Sequence, residues 1–287
     1  MYDIIIVGGG PAGLTAALYA KRAGFSTLLL EGGVLGGQAA ATPDIENWPG
    51  TRHISGSDFA ANLYEQSRAL GAELRLEAAT ALEAEGALRR VSTSAGRYEA
   101  RCVILANGVK RRKLGVPGEE RLAGRGVSYC ATCDGMLYRG RAVTVVGRSK
   151  DAPQEANYLK SLGCQVVYVS PQEPKGLDRE IPFVRAGKLE VRGTDRVSAL
   201  VADGAELPCE GVFILRDALA PTDLLPDLEL RNGAIAVDRE MATSLPGVFA
   251  AGDCTGGPLQ VAKAVGEGHT AGLSAAEYVD RKRNEHQ

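Results

Sequence analysis

A chain of 287 residues with 45 % hydrophobic content, 36 glycines and few aromatics suits two α/β domains of ordinary size. Its 33 basic residues against 35 acidic ones leave a net charge of −2, which argues against nucleic acid or an anionic membrane as the principal partner. No apolar run approaches the roughly 20 residues of a membrane span, and the chain opens on a core-like strand instead of a charged leader, so a cytoplasmic enzyme is expected.

Tyr2-Asp3-Ile4-Ile5-Ile6-Val7 is dense in β-branched residues and runs straight into Gly8-Gly9-Gly10-Pro11-Ala12-Gly13, after which Leu14 to Ala20 reads as a helix. Strand, glycine turn and helix in that order make a dinucleotide-binding fingerprint. Gly8 permits the tight turn, Gly10 lets the backbone approach a pyrophosphate, and Gly13 lets the helix pack on the strand. The helix N-terminus then faces the phosphates with unpaired N–H groups. The second strand, Ser26 to Leu30, ends at Glu31, where a carboxylate accepts hydrogen bonds from a ribose and repels a 2′-phosphate.

Further along, Cys130-Ala131-Thr132-Cys133-Asp134 places two thiols where they can close into a small disulfide ring, with a carboxyl group beside them. A zinc site needs a second ligand pair, and Cys102, Cys164, Cys209 and Cys254 form no CxxC or Cys/His cluster. In a reducing cytosol a CxxC is more often catalytic than structural. Arg141 to Gly147 then repeats the strand-into-glycine pattern, Glu155 to Leu162 reads as its helix and Gln165 to Val169 as the next strand. Gly247 to Asp253 returns to a buried strand ending in Gly-Asp, before a helical tail from about Gln260. The expected fold is α/β with two Rossmann-like nucleotide-binding-type domains, the second inserted into the first. The first would comprise residues 1–114 and 245–287 and the CxxC domain residues 115–244, with crossings at the Pro- and Gly-marked stretches 115–118 and 244–247.

Gly8 to Gly13, Gly36-Gly37-Gln38, Glu46-Asn47-Trp48-Pro49-Gly50, Ala106-Asn107-Gly108, Tyr129 to Asp134 and Ala250-Ala251-Gly252-Asp253 resemble the low-molecular-weight thioredoxin reductases, and the likeness runs nearly end to end. That resemblance implies FAD in the first domain. Gly8, Gly10, Pro11, Ala12 and Gly13 would meet its pyrophosphate and Glu31 its adenosine ribose. Gln38 and Asn47 would lie near the flavin, Asp253 would bind the ribityl chain, and Gln260 and Val261 would border the isoalloxazine. Gly37, Ala106, Gly108 and Gly252 belong to the same implied set. Trp48 has a plainer reading as a packed aromatic, and Asn107, where the family usually has Thr, as a turn-shaping residue. By the same resemblance Cys133 would take electrons from the flavin as the charge-transfer thiolate, Cys130 would attack the disulfide of thioredoxin, and Asp134 would act as acid and base. A helix N-cap is the alternative role for Asp134. A homodimer and a domain rotation between two states are implied as well.

The inserted domain departs from the NADPH-using members. Its turn reads Gly147-Arg148-Ser149-Lys150-Asp151-Ala152, with Ser149 in place of the glycine that allows close backbone approach. The next strand runs into Ser170-Pro171-Gln172-Glu173-Pro174-Lys175, without the arginines that grip a 2′-phosphate. This combination, with Val212 to Asp217 and Gly252 to Gly256, resembles the ferredoxin-dependent flavin thioredoxin reductases, which implies electrons entering from an acidic iron–sulfur protein. The remaining cysteines lack iron–sulfur ligand spacing, so such a cluster would belong to the partner. Lys110-Arg111-Arg112-Lys113 with Arg121, Arg125, Arg139 and Arg141 are candidates for its docking face, against the plainer reading as a solvated surface. Three alternatives stay open: an NADPH- or NADH-dependent reductase rescued by Arg148 or Lys150, a flavin dithiol oxidase, and a non-enzymatic flavin redox sensor.

Overall fold

Ile4, Ile5 and Ile6 are each fully buried, and consecutive apolar residues on a strand require both faces of the sheet to be covered. The computed structural model describes residues 1–84, 86–111, 113–216, 218–219 and 222–285, with backbone only at 110, 111, 218 and 219. It divides into two compact units, Met1–Lys110 with Leu219–Gln287, and Arg111–Ala218.

In the first unit the strand Tyr2–Val7 lies between parallel neighbours Thr27–Leu30 and Arg97–Leu105; Glu73–Arg75 and Val248–Ala250 extend the parallel set on either side. One face carries the helices Pro11–Arg22, Gly56–Ala69 and Val261–Asn284. The first and last of these touch through small residues, since a Cβ at Gly268 would lie 2.2 Å from the Ala12 carbonyl oxygen. Ala79–Glu83 and Arg89–Thr93 continue the sheet as antiparallel strands.

The second face corrects the expected return to this domain at residue 245. Leu225, Leu228 and Ile235 are buried in one cluster with Ile5, Val7, Leu28 and Leu30, so the chain rejoins the first unit by Leu219. Burial of apolar area at about 25 cal/mol per Å² outweighs the punctuation by Pro246 and Gly247 on which the expectation rested.

The second unit repeats the theme with a five-stranded parallel sheet in the order Phe183–Arg185, Gln165–Ser170, Ala142–Gly147, Gly211–Leu215, Val127–Ser128. The helix Ala152–Ser161 packs on one face, and the antiparallel meander Leu189–Arg192, Ala199–Ala202, Ala205–Pro208 supplies the other core. This helix starts ahead of the expected Glu155 because Pro153 occupies its first turn, where a missing N–H is harmless.

Asp3 is the buried charge that ties the ends of the first unit together. Ser26 donates to its Oδ2 from the backbone N at 3.0 Å and from Oγ at 2.8 Å, and Arg283 Nη2 donates to Oδ1 at 2.6 Å. Burial alone pushes this carboxyl up, but the Ser26 hydrogen bonds and the Arg283 guanidinium together hold it below the ordinary Asp value. A depressed carboxylate stabilises the fold above its unfolded-state value and loses that contribution as pH falls through the folded-state value. Asp3→Asn is therefore expected to lower stability by about 1–3 kcal/mol at pH 7, with the gap to the parent closing in acid below the ordinary Asp range. Urea midpoints of parent and variant across that pH span check it, and a gap that is constant in pH contradicts it.

Candidate active site

The strand Val127–Ser128 delivers the chain into Cys130, and Ala131–Asp134 forms a single helical turn capped by that cysteine, whose Sγ accepts from Cys133 N at 3.2 Å. Cys130 and Cys133 are joined in a disulfide with their Cα atoms 5.3 Å apart. Cys130 is only 8 % exposed, whereas Cys133 is half-buried. Asp134 does not cap the following turn Gly135–Tyr138 through its side chain; its Oδ2 accepts from Ser128 Oγ at 2.6 Å. Ser128 Oγ in turn accepts from Cys130 N at 3.2 Å, so one hydroxyl links the carboxylate to the cysteine backbone.

Two further carboxylates brace this turn. Glu155 Oε2 accepts from Ala131 N at 3.3 Å. Glu119, 1 % exposed, accepts from the backbone N–H groups of Leu114, Gly115 and Val116 and from Tyr129 Oη at 3.0 Å. Sequence pattern did not point to Ser128, Glu119 or Glu155. The one signal available was a hydroxyl two residues before Cys130.

The other cysteines are chemically quiet. Burial raises the thiol pKa of Cys102, Cys164 and Cys209, and pushes Cys254 up to about 12. A thiol so raised holds little thiolate at neutral pH, and the thiolate is the reactive form.

In the first unit several of the expected cofactor residues meet around the glycine turn, which forms a cradle. Gly8 has φ +109°, and a Cβ there would lie 2.3 Å from the Ala106 carbonyl oxygen, so only glycine lets the turn pass over the end of the neighbouring strand. A Cβ at Gly13 would lie 1.8 Å from the Gly8 carbonyl oxygen, and one at Gly37 would lie 3.4 Å from Gly10 Cα. Gly10 differs: its φ is −74° and the space beside it is open to 4 Å, directly at the N-terminus of the helix Pro11–Arg22. Glu31 reaches the same turn, where its two oxygens accept from Gly9 N and Gly33 N at 2.6 Å each.

Across the cradle, Gly252 packs on Ala12, and Asp253 follows it. Asn47 Nδ2 donates to Gln260 Oε1 at 2.9 Å, bringing together two residues 213 positions apart; Val261 opens the last helix beside them. Gln38 Nε2 donates to the Val109 carbonyl at 3.2 Å, next to Gly108. Trp48 meets Phe59 edge-on at 5.2 Å, as a packed aromatic does.

The turn at 147–152 is built differently. A Cβ at Gly147 would lie 1.8 Å from Tyr168 Oη, so the buried Tyr168 ring rests on the turn itself. Arg148 folds back, its Nη1 donating to the Gly147 carbonyl at 3.0 Å. Of the basic cluster, Arg112 and the side chains of Lys110 and Arg111 lie outside the described residues. Lys113 is paired with Glu120 at 2.6 Å, Arg141 with Glu210 at 3.4 Å, and Arg121 donates to the carbonyls of Thr194 and Gly193, while Arg125 and Arg139 are exposed. Among the described residues no helix is long and apolar enough to cross a membrane.

The pyridine nucleotide-disulphide oxidoreductase family profile matches residues 2–268. The chain belongs to this family, among its low-molecular-weight thioredoxin reductases. It is 39 % identical to the thioredoxin reductase of Treponema pallidum, with 99 % of each chain covered. The solved thioredoxin reductase of Streptococcus pyogenes MGAS5005 is 37 % identical and superposes with a TM-score of 0.90 over 98 % of this chain and 99 % of that one. The ferredoxin-flavin thioredoxin reductase of Clostridium acetobutylicum is 36 % identical over 99 % of both chains, with a TM-score of 0.59. The chain is thus a flavoprotein disulfide oxidoreductase of the thioredoxin reductase type, and its cofactor is FAD. The cradle suits that group: the open face of Gly10 and the free helix N-terminus offer a pyrophosphate backbone N–H groups and the positive end of a dipole.

Proposed function

We propose that the chain reduces thioredoxin with electrons from reduced ferredoxin, as a cytoplasmic homodimer. The observation that carries the choice of donor is the turn at Gly147. Tyr168 rests on the first glycine of the turn, Arg148 is spent on the turn's own carbonyl, and Ser149 stands in place of the second glycine, the one that a dinucleotide pyrophosphate approaches. The strand beyond ends in a stretch that holds two prolines and no arginine.

Bound FAD supplies the store in which single electrons from a ferredoxin are paired. In this reading Met1–Lys110 with Leu219–Gln287 is the FAD unit: Gly8, Gly10, Pro11, Ala12, Gly13, Gly37, Ala106 and Gly108 line the pyrophosphate end and Glu31 the ribose. Gln38, Asn47, Gly252, Asp253, Gln260 and Val261 hold the flavin end. Two electrons and two protons open the Cys130–Cys133 disulfide. Asp134 takes the proton of the Cys130 thiol, the thiolate attacks one sulfur of the thioredoxin disulfide, and the displaced thioredoxin sulfur takes that proton back from Asp134. Cys133 attacks Cys130 Sγ, the mixed disulfide breaks, and the second thioredoxin thiol leaves as the ring closes. The Ser128 hydroxyl orients the Asp134 carboxylate for this exchange. Because Cys130 is nearly enclosed, the cycle includes a rearrangement that uncovers it.

An anaerobic titration tests the reading: FAD-loaded protein with thioredoxin disulfide is given NADPH, then NADH, then enzymatically reduced ferredoxin, while visible absorbance and thioredoxin thiols are followed. Turnover with ferredoxin is expected to exceed that with either nucleotide by at least about 100-fold, the equivalent of two or three lost phosphate contacts. Fast bleaching by NADPH overturns the choice of donor and leaves the reductase. Rapid oxygen uptake with small dithiols but no thioredoxin reduction points to the oxidase, and absence of multiple turnover points to the sensor.

A further inference from the structure

Lys263 and Glu267 stand one turn apart on the last helix in the order that helix energetics disfavour. An i, i+4 pair is better with the acid on the N-terminal side, and a lysine in the first turn opposes the helix dipole. Their placement is explained by what they grip. Glu267 Oε2 accepts from Gly252 N at 2.8 Å, and Lys263 Nζ donates to the Gly252 carbonyl at 2.9 Å. The two side chains meet at 2.9 Å, and Thr255 Oγ1 sits 3.0 Å from Lys263 Nζ and 2.8 Å from Glu267 Oε2. Three acceptors therefore surround the three N–H bonds of the ammonium.

The pair is largely enclosed, with side chains 15 % and 19 % exposed, so it is weakly screened and either member left alone is destabilising. Gly252 itself has φ +86° and ψ −151°, a conformation open to glycine, and a Cβ there would lie 2.8 Å from Ala12 Cβ. Its peptide is thus held from the glycine-turn helix on one side and from Lys263 and Glu267 on the other, one residue before Asp253.

We propose that Lys263, Glu267 and Thr255 are positioning residues that fix the Gly252–Asp253 turn for the ribityl chain of FAD. The inference rests on the reading of Asp253 as an FAD contact. The test is FAD titration of apoprotein by flavin fluorescence, beside thermal unfolding of the same apoproteins. Lys263→Met and Thr255→Val are each expected to raise the FAD Kd about tenfold. Thr255→Ser, which keeps the hydroxyl, should restore it to within about twofold, and Lys263→Met with Glu267→Gln should bind better than the product of the single effects, since the charge imbalance is removed. A role confined to bracing the fold moves the melting temperature and leaves Kd alone.

Asp253→Ala separates the two ideas. If it loses FAD while Lys263→Met and Thr255→Val bind FAD as the parent does, the positioning role is wrong and the Asp253 contact stands. If Asp253→Ala binds FAD normally, the contact is wrong and the positioning role falls with it. Thr255→Val is nearly isosteric and keeps the test open should a Lys263 variant fail to fold.

Discussion

Cys130→Ser is expected to lower thioredoxin turnover by about 10⁴-fold or more while FAD remains bound, because a serine hydroxyl neither carries the thiolate that attacks a disulfide nor leaves as one. The fold has little reason to object. The sulfur of Cys130 accepts a hydrogen bond from Cys133 N at the start of a helical turn, and serine is a strong acceptor at that position. Cys133→Ser separates the two roles: Cys130 can still attack, but nothing resolves the product, so a covalent complex with thioredoxin should accumulate on a non-reducing gel. The experiment also tests the opposite assignment, since Cys133 is the more exposed residue of the pair in this structure. If thioredoxin is trapped by Cys130→Ser and released by Cys133→Ser, the attacking and resolving thiols must be exchanged. Loss of FAD from Cys130→Ser sinks both versions, because a residue of the exchange chemistry alone does not hold the cofactor.

What the sequence reveals here is what local geometry dictates. Gly8 and Gly13 are legible because no other residue fits the strand-to-helix turn, and Cys130 and Cys133 because two residues between them suffice to close a ring. The return of the chain at Leu219 is not legible: it depends on Leu225 and Leu228 finding the face of a sheet formed some 200 residues earlier, which no turn signal encodes. Ser128, Glu119 and Glu155 escape notice for the same reason, since their partners are chosen by proximity through space. The basic stretch is only half legible: a run of Lys and Arg is plain in the sequence, whereas the pairing of Lys113 with Glu120 and of Arg141 with Glu210 is a product of the fold. Glu31 lies between these cases. Its position after the second strand is legible, whereas its hydrogen bonds to Gly9 N and Gly33 N are a product of the folded turn.

Two glycines in one turn should respond to substitution in opposite ways. Gly10→Val is expected to weaken FAD binding by about 100-fold or more yet leave the apoprotein folded, with a loss of stability near 1 kcal/mol or less, about that of a poorer helix cap. Its φ of −74° and ψ of −176° are open to any residue, and beyond its two chain neighbours no protein atom lies within 4 Å of a Cβ placed there. A valine at that site therefore fills only the space into which the pyrophosphate must come. Gly8→Ala, with the smaller side chain, is expected to do the greater damage to folding. At φ +109° an L-residue is strained, and its Cβ would meet backbone at 2.3 Å, at the carbonyl oxygen of Ala106, a residue whose N–H is bonded to the Val7 carbonyl of the neighbouring strand. That substitution should lower stability by about 3 kcal/mol or more, enough to remove soluble apoprotein from a marginally stable fold. FAD titrations and urea unfolding of the two apoproteins measure both arms. Should Gly10→Val bind FAD as the parent does, the open face of the helix N-terminus is not the pyrophosphate site, and the cofactor must enter the cradle by another edge.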